Sequence, residues 1–388
     1  MGEWRRVRLG DVAAEVTVGH VGSMANEYRD EGVPFLRSQN VLPHRIDLVD
    51  TKFIDAEFHA RLKKSALRPG DVVTVRTGKP GTSAVVPDWM EVGNCADLVI
   101  TRPGPELNSK WLSYYLNYVT DVDIAQRLVG AVQQHFNVGS AKALVLHMPE
   151  LAEQKAIAGV LGVIEDKIAA NKQIDISARA LAKALVQRVQ TTVPLSALCN
   201  QSTASLKPAE FDTTVAHFSL PAFDLNAGPE MADSAAIKSN KFILTSPCVL
   251  FSKLNPRIAR VWNVSSIPPQ MALASTEFVV LAPSTVSSSA LWAAVAQPDV
   301  SASLQQMVAG TSGSHQRILP SALMSMQVRD VRTLPLEGLQ LLEDIGQLCY
   351  AYGLETRRLE QGRDALLPLL MSGKLTVKTA ESLVEEVI

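Results

Sequence analysis

Few features of disulfide cross-linking, metal binding or membrane insertion appear in this sequence of 388 residues. Its four cysteines, Cys95, Cys199, Cys248 and Cys349, are scattered without a C-x-x-C pair, so buried free thiols are expected. No apolar run approaches the length that crosses a bilayer, and the first residues contain no apolar signal core. These absences predict a cytoplasmic protein with no membrane partner.

Recognisable catalytic motifs are also missing. No G-x-x-x-x-G-K-[ST] phosphate loop is present, because Pro80 follows Gly78-Lys79 where a Mg²⁺-binding hydroxyl is required. The seven histidines occur singly, without H-E-x-x-H, and no G-x-S-x-G elbow is present. Neither a glycine-rich cofactor turn nor an Asn-Pro-Pro-aromatic tetrapeptide occurs. An enzyme with an unrecognised site stays an alternative, although nothing in the sequence specifically favours it.

Length and composition are those of an ordinary globular chain. The apolar fraction is 47% and the charged fraction 20%, and the length suits two to three domains. The net charge of -2 argues against a nucleic-acid-binding protein that works alone, because phosphate contacts usually make such domains basic. Either partner subunits supply many phosphate contacts, or the chain does not bind nucleic acid.

A weak internal repeat divides the chain. Residues 7–12 resemble 193–198, and residues 67–76 resemble 244–253. The stretch from Gly130 to His135 corresponds to that from Gly310 to His315, because each glycine lies five residues before its histidine. The offset is about 180 residues, far longer than a solenoid repeat. We interpret it as the duplication of a whole domain followed by a helix.

Each half is predicted to be mixed α/β. In residues 1–150, strands are predicted at 71–75 and 97–101 and a helix at 112–129. Residues 191–335 repeat this style. They contain predicted strands at 242–244 and 277–281 and a helix at 290–308 that Pro298 interrupts.

Two segments have the apolar seam of a coiled coil, with alternating steps of three and four residues. Asn171 lies within the first seam, where it either fixes the register or marks a hydrated stretch. Pro368 should kink or end the second helix near its last turn. The first seam comprises Ile157, Val160, Ile164, Lys167, Asn171, Ile174, Ala178, Leu181 and Leu185, widened by Leu161 and Ile168; the second comprises Leu342, Ile345, Cys349, Tyr352, Leu359, Leu366 and Leu370, with Thr356 and Arg363 in its gaps.

A single apolar seam requires a partner for each helix. If the two copies close head to tail, the two helices pair antiparallel. Alternatively, each helix packs on its own domain.

Three stretches resemble the specificity-subunit family of type I restriction-modification systems. The first is Trp4-x-x-Val7-Arg8-Leu9-Gly10-Asp11-Val12. The second is Arg68-Pro69-Gly70-Asp71-Val72 followed by Arg76-x-Gly78-x-x-Gly81, with a variant at 249–258. The third, Met148-Pro149-Glu150-Leu151-Ala152-Glu153-Gln154-Lys155, opens the first long helix, but the second copy has only a loose echo of it at 331–336.

The resemblance implies an α/β fold with two similar mixed α/β target recognition domains and approximate two-fold symmetry. These domains would be separated by two long antiparallel coiled-coil helices. The expected boundaries are 1–150 for the first domain, 151–190 for the central spacer helix, 191–335 for the second domain, and 336–388 for the C-terminal spacer helix and tail.

The same resemblance implies a function without catalysis or a cofactor. Each domain would read one half of a bipartite site in double-stranded DNA. Two modification methyltransferase subunits would be recruited, with restriction subunits as further partners. The alternative is a structural adaptor, in which the domains bind protein and the helices oligomerise.

Candidate DNA-binding residues lie on polar loops, because arginine suits guanine and amides suit adenine in the major groove. An ordinary surface or turn position is the competing interpretation for any single one of them. The candidates in the first domain are Arg37, Gln39, Asn40, Arg76, Lys79, Gln133, Gln134 and His135, and those in the second are Lys253, Asn255, Arg257, Arg260, His315, Gln316 and Arg317.

Overall fold

The computed structural model describes residues 4–127, 136–225, 228–255, 260–308 and 317–385. The chain divides into two compact units. Unit 1 comprises Met1–Asp166 together with Glu360–Ile388, and unit 2 comprises Lys167–Leu359.

Most elements of unit 1 precede the first long helix. They are β1 (Arg5–Arg8), α1 (Leu9–Val12), β2 (Ala13–Val18), β3 (Val33–Leu36), β4 (Val41–Leu42), β5 (Arg45–Ile46), β6 (Lys52–Ile54), α2 (Ala56–Arg61), β7 (Ala66–Leu67), β8 (Val72–Val75), β9 (Ser83–Val85), β10 (Gly93–Cys95), β11 (Leu98–Pro103), α3 (Ser109–Arg127), α4 (Val138–Ala143) and β12 (Val145–Met148). The long helix α5 (Leu151–Gln187) then begins in unit 1 and continues into unit 2.

Unit 2 has a similar series of elements. They are β13 (Thr192–Pro194), β14 (Cys199–Ser202), β15 (Ser205–Leu206), β16 (Thr214–Phe218), α6 (Leu220–Asp224), β17 (Glu230–Asp233), β18 (Lys241–Leu244), β19 (Cys248–Ser252), β20 (Val261–Val264), β21 (Met271–Ala274), β22 (Phe278–Pro283), α7 (Ser288–Val295), α8 (Pro298–Val308), α9 (Pro320–Ser325) and β23 (Gln327–Arg329). The second long helix, α10 (Leu336–Met371), begins in unit 2 and ends in unit 1, where α11 (Val377–Glu385) follows.

Both units share one strand topology. An antiparallel sheet in the order β2-β11-β8-β9 in unit 1 corresponds to β14-β22-β19-β20 in unit 2. A second sheet, β6-β3-β10-β7, corresponds to β17-β16-β21-β18, with β15 added beside β18. In both of these sheets the inner pair, β3–β10 or β16–β21, is parallel. The repeated order confirms the prediction of two similar mixed α/β domains.

An apolar core joins the two sheets within each unit. In unit 1 it includes Leu36 and Cys95 from one sheet and Val73 and Ile100 from the other. In unit 2 the corresponding core includes Phe218 and Ala274 from one sheet and Leu250 and Val280 from the other. Strands β8 and β19 are buried along their whole length, because helices α3 and α7 cover their second face. Burial on both faces explains why these strands have nearly continuous apolar sequences.

The predicted elements agree closely with those observed. The strands predicted at 71–75, 97–101, 242–244 and 277–281 correspond to β8, β11, β18 and β22. The predicted helix at 112–129 is α3, which begins at Ser109, and its last two residues lie outside the described part of the chain. The helix predicted at 290–308 is indeed interrupted before Pro298, which begins α8. Pro368 lies in the last turn of α10, as predicted.

The two long helices pair antiparallel. Within unit 2, Asn171 of α5 contacts Glu355 of α10, whereas Leu185, fourteen residues further along α5, lies beside Gly338 near the start of α10. Within unit 1, Arg363 of α10 donates to Glu165 of α5 at 2.8 Å. Both arrangements left open by the sequence occur in α5. This helix pairs with α10, and it also contributes side chains to the core of unit 2.

The predicted seam of α5 is wrong at two positions of its second half, Ile174 and Leu181, whereas its residues Ala178 and Leu185 belong to or pack against the core. Ile174 and Leu181 are exposed, whereas Ala178, Ala182 and Val186 are buried. The buried residues of this half are spaced by four, whereas the predicted seam alternates steps of three and four. This change of spacing rotates the buried face around the axis of α5. It does so because this part of α5 packs against both α10 and the core that contains α7.

The other seam residues agree better with the prediction. Asn171 is buried and donates to Glu355 at 2.8 Å, so of the two interpretations left open the structure favours a buried amide. In α10, the predicted seam residues are buried except Tyr352, which is partly exposed. The buried ones are Leu342, Ile345, Cys349, Leu359, Leu366 and Leu370.

Candidate nucleic-acid interface

In unit 1 the hairpin loop between β8 and β9 carries two candidate cations. Arg76 follows the last residue of β8 directly, and Lys79 is exposed near the tip of the loop. Gly78 and Gly81 have φ angles of 89° and 94°, a left-handed conformation that other residues rarely adopt. The glycines therefore allow a tight loop that presents Lys79 to solvent.

Arg76 lies opposite an acidic residue across the sheet. The register pairs Val75 with Leu98, so the next position places Arg76 opposite Asp97. The two side chains form an ion pair between Arg76 Nη1 and Asp97 Oδ1. Asp97 has a φ of 51°, and its backbone N–H donates to the carbonyl of His20 at 3.1 Å, which fixes its position.

Arg37 and Gln39 follow β3, the strand parallel to β10. Because β3 and β10 are parallel, Arg37 and Asp97 come after strands that end at the same edge of the sheet. Arg37 donates from Nη2 to the carbonyl of Asp50 at 2.5 Å, and Gln39 is exposed. The polar candidates of unit 1 thus gather near one end of its two sheets.

Asn40 is buried and holds the loop that follows it. Its Nδ2 donates to the carbonyls of Asp47 and Val49 at 2.9 and 3.2 Å and to Thr51 Oγ1 at 3.1 Å. Its Oδ1 accepts from the backbone N–H of Arg37 at 3.0 Å. Both ends of its amide are hydrogen-bonded within the protein, so in this structure Asn40 positions the neighbouring Arg37 and Gln39.

In unit 2 the hairpin between β19 and β20 carries Lys253, Asn255 and Arg260. Lys253 follows β19 directly, and its ammonium lies 5.9 Å from the centroid of the Phe242 ring. Asn255 is exposed with a φ of 48°. Arg260 forms a bidentate ion pair with Asp224 at 2.6 and 2.9 Å, at the end of α6.

Glu277 of unit 2 is the equivalent of Asp97. The register pairs Ser252 with Phe278, which places Lys253 opposite Glu277, and the Lys253 N–H donates to the Glu277 carbonyl at 2.8 Å. The carboxylate of Glu277, however, binds Arg317 at 2.9 Å.

The segment that precedes α4 in unit 1, and the one that precedes α9 in unit 2, each contact the hairpin of their own unit. In unit 2, Ile318 N donates to Lys253 O at 2.9 Å, and Arg317 bridges to Leu254. In unit 1, Phe136 N donates to Arg76 O at 3.3 Å. Three stretches that are distant in sequence therefore meet at one end of each unit.

Six sequence-predicted candidates lie outside the described residues. They are Gln133, Gln134, His135, Arg257, His315 and Gln316. In the sequence, the first three directly precede Phe136 and the last two directly precede Arg317.

Sequence reasoning missed the acidic residues of this region, Asp97, Asp224 and Glu277. They reduce the positive charge of the loops, since Arg76, Arg260 and Arg317 are all paired. A signal was available for two of them: Asp97 and Glu277 each stand at the first position of a predicted strand, at matching places of the repeat.

Other kinds of site find little support in the described part of the chain. No group of three or more histidine, cysteine, aspartate or glutamate side chains there is arranged to hold a metal ion. All four cysteines are buried and free, as predicted, and burial raises the pKa of Cys199, Cys248 and Cys349 to about 12. Among the described helices, none combines the length and apolar character needed to span a membrane.

Comparison with known proteins identifies the fold. No protein-family model matches the chain, and no curated protein matches it significantly. The solved S subunit of the type I restriction-modification system of M. genitalium superposes with a TM-score of 0.52 at 11% identity, covering 97% of this chain and 96% of that chain. The chain therefore has the fold of that S subunit.

Two further solved chains are similar over nearly their whole length but superpose less closely. The HsdS subunit from Thermoanaerobacter tengcongensis has a TM-score of 0.35 at 16% identity, with 96% and 97% of the two chains covered. A chain from a study of complex assembly and conformational transition of the type I R-M system has a TM-score of 0.40 at 15% identity, with 97% and 99% covered.

Proposed function

We propose that this chain, which has the fold of a type I restriction-modification S subunit, is the non-catalytic DNA-recognition subunit of such a complex. The observation that carries the proposal is the repeated convergence of polar loops. In unit 1 the β8–β9 hairpin, Asp97 and the segment before α4 meet at one end of a sheet. In unit 2 the β19–β20 hairpin, Glu277 and the segment before α9 meet in the same way. Two such clusters of different sequence suit the reading of two different half-sites.

The exposed side chains of each cluster have the chemistry that base reading needs. Gln39 and Asn255 offer amides, and Lys79 and Arg317 offer cations. Amides form paired hydrogen bonds with adenine, and arginine or lysine with guanine. We assign these residues, with Arg37, Arg76, Lys253 and Arg260, to direct DNA contact, whereas Asn40 acts by positioning the loop.

Methylation and cleavage would then reside in partner subunits, and the long helices offer a surface for them. In unit 2, Ile174 and Leu181 on α5 and Leu341 and Leu348 on α10 are exposed. Each pair is spaced by seven residues and so lies on one face of its helix. Exposed aliphatic side chains at this spacing suit a helical partner, and we assign the surface to a modification subunit.

Methylation mapping tests the proposed function. The complex with its modification subunits would be offered a library of randomised sites, and the methylated sites would be sequenced. We expect a bipartite consensus for the wild-type protein. Replacing Arg76 and Lys79 with alanine should relax one half-site only, with a loss of roughly 1–3 kcal/mol for a specific base contact.

Two outcomes would contradict the proposal. If the wild-type complex methylates without sequence preference, the chain does not read DNA. If the chain binds partner proteins but leaves their DNA specificity unchanged, the adaptor function is correct instead.

A further inference from the structure

An acidic residue occupies the same topological position in both units, beside the candidate DNA-reading cations. Asp97 directly precedes β11, and Glu277 directly precedes β22. Each lies one position beyond the last paired residues of the ladder to the hairpin strand, opposite Arg76 or Lys253. The equivalence rests on the strand register and does not depend on sequence similarity.

Both acids hold an arginine of the candidate interface. Asp97 binds Arg76, whereas Glu277 binds Arg317 from the neighbouring segment. The carboxylate comes from the same place in both units, although the arginine comes from different segments. An ion pair between a carboxylate and an arginine is therefore present at this end of the sheet in both units.

Each ion pair leaves hydrogen-bonding capacity unused. Among the described residues, Arg76 Nε and Glu277 Oε2 are buried and have no hydrogen-bond partner. The Nε atoms of Arg102 and Arg329, outside the candidate interface, are buried and without a hydrogen-bond partner in the same way, so these atoms do not by themselves indicate a ligand. A base edge supplies both acceptors for a guanidinium and amino donors for a carboxylate.

A carboxylate beside a DNA-reading arginine has two physical effects. It holds a long, flexible side chain in one geometry, so less conformational entropy is lost when a base is bound. It also cancels one positive charge, which weakens attraction to phosphates of any sequence. Both effects favour discrimination over affinity.

We propose that Asp97 and Glu277 are specificity-determining residues, one for each half-site. They orient the arginines that read bases and suppress sequence-independent binding. This inference rests on the proposed DNA-recognition function and adds to it the acidic residues that set its selectivity.

The test replaces each carboxylate with its amide, Asp97→Asn and Glu277→Gln, in the full chain assembled with its modification subunits. Asparagine accepts the positive φ of Asp97, and Asp97→Gly provides a second variant that accepts it as well. Sequence preference is measured by methylation of a randomised library. Sequence-independent affinity is measured on duplexes that lack the site, over a range of salt concentrations.

Matched control variants remove an acid from ion pairs elsewhere in each unit. Glu15→Gln breaks the pair between Glu15 and Arg102, whose exposure is similar to that of the Asp97–Arg76 pair. The side chains of Arg102 and Glu15 are 15% and 47% exposed, and those of Arg76 and Asp97 are 24% and 42% exposed. Asp299→Asn breaks the pair with Arg329 in unit 2. Neither control residue belongs to the candidate interface.

For Asp97→Asn we expect one half-site to lose about tenfold in discrimination while the other is unchanged. Glu277→Gln should relax the opposite half-site. Both variants should bind non-specific DNA more tightly, with a salt dependence steeper by about one unit of slope. The two controls should behave as the wild-type protein.

The inference is overturned if both amide variants keep wild-type preferences at both half-sites, or if the controls relax them equally. Failure of the proposed function looks different, because the wild-type complex itself would then show no bipartite preference. If Asp97→Asn does not fold, Asp97→Gly carries the same expectation and the same contrary outcome.

Discussion

Single residues near the candidate interface divide into those that hold loops and those that are free to touch a ligand. Asn40 and Gln39 are adjacent in sequence, yet the first is buried and the second exposed. His44, on the loop that follows, is partly buried. It lies against the Tyr114 ring, with 4.6 Å between centroids, and contacts Asn117 at 3.2 Å.

Replacing Asn40 with alanine should destabilise the protein and weaken recognition only indirectly. The variant leaves the carbonyls of Asp47 and Val49 without their donor. Loss of a buried partner costs roughly 1–3 kcal/mol, which urea denaturation would measure. Gln39→Ala is the adjacent control and should change sequence preference without changing stability. A stable Asn40→Ala protein would show that the amide does not hold this loop.

The stability of unit 1 should depend on pH through His44. Burial, together with the nearby Arg363 charge, lowers the pKa of His44 to about 3. The unfolded chain, with a histidine pKa of about 6.5, binds a proton that the folded state excludes. The free energy of unfolding is therefore unaffected by His44 above pH 6.5. It falls as the pH drops from 6.5 toward 3, by up to about 1.4 kcal/mol per pH unit.

The variant His44→Asn isolates this contribution, since asparagine suits the φ of 66° at this position. Other groups titrate in both proteins, so the difference in unfolding free energy between wild type and variant should shrink as the pH falls from 6.5 to 4. A difference that is constant over this range would refute the assignment.

At the scale of elements, the two long helices combine an apolar seam with charged pairs. In unit 1, Arg363 pairs with Glu165, and both side chains are about four-fifths buried. In unit 2, Glu355 accepts from Asn171 and pairs with Lys167 at 3.3 Å. Such contacts favour one register, because a shifted helix would leave a buried carboxylate without a partner.

The variant Arg363→Met should lower the stability of unit 1 by roughly 1–3 kcal/mol, because it leaves Glu165 partly buried and unpaired. Adding Glu165→Leu should recover most of the loss, which urea denaturation of the single and double variants would show. Arg61→Met is the control, since the Arg61–Glu57 pair is exposed and worth about 0.3–0.5 kcal/mol. Equal losses in the single and double variants would contradict the expectation.

At the scale of the whole molecule, charge is the main constraint on the proposed DNA binding. The net charge is -2, and three arginines of the candidate interface are paired with acids. Phosphate attraction alone therefore provides little affinity. The low positive charge fits a subunit that reads bases while its partners bind the backbone.

The isolated chain should accordingly bind its DNA site weakly and gain both affinity and specificity when modification subunits are added. Fluorescence anisotropy with a labelled duplex at two salt concentrations would measure this. Tight, specific binding by the chain alone, with a dissociation constant that partners leave unchanged, would exclude the expected division of labour.

The sequence by itself determined the two long helices, several strands of the core and the duplication. The strands β8 and β22 and the interruption before Pro298 follow from local patterns of apolar and turn-forming residues. These patterns are readable because the periods of strands and helices come from backbone geometry, which every segment shares. The need of each long helix for a partner follows from its single apolar seam, and the antiparallel order follows if the two copies close head to tail.

Only the tertiary structure decided which polar residues are available. Asn40 and Gln39 have similar side chains, and the difference between them lies in a loop that returns to cover Asn40. The burial of Ala182 in place of Leu181 depends on helix α7, far along the chain. The role of Asp97 likewise depends on strand register across a hairpin. Burial and ion pairing depend on what packs from distant segments, which no local pattern records.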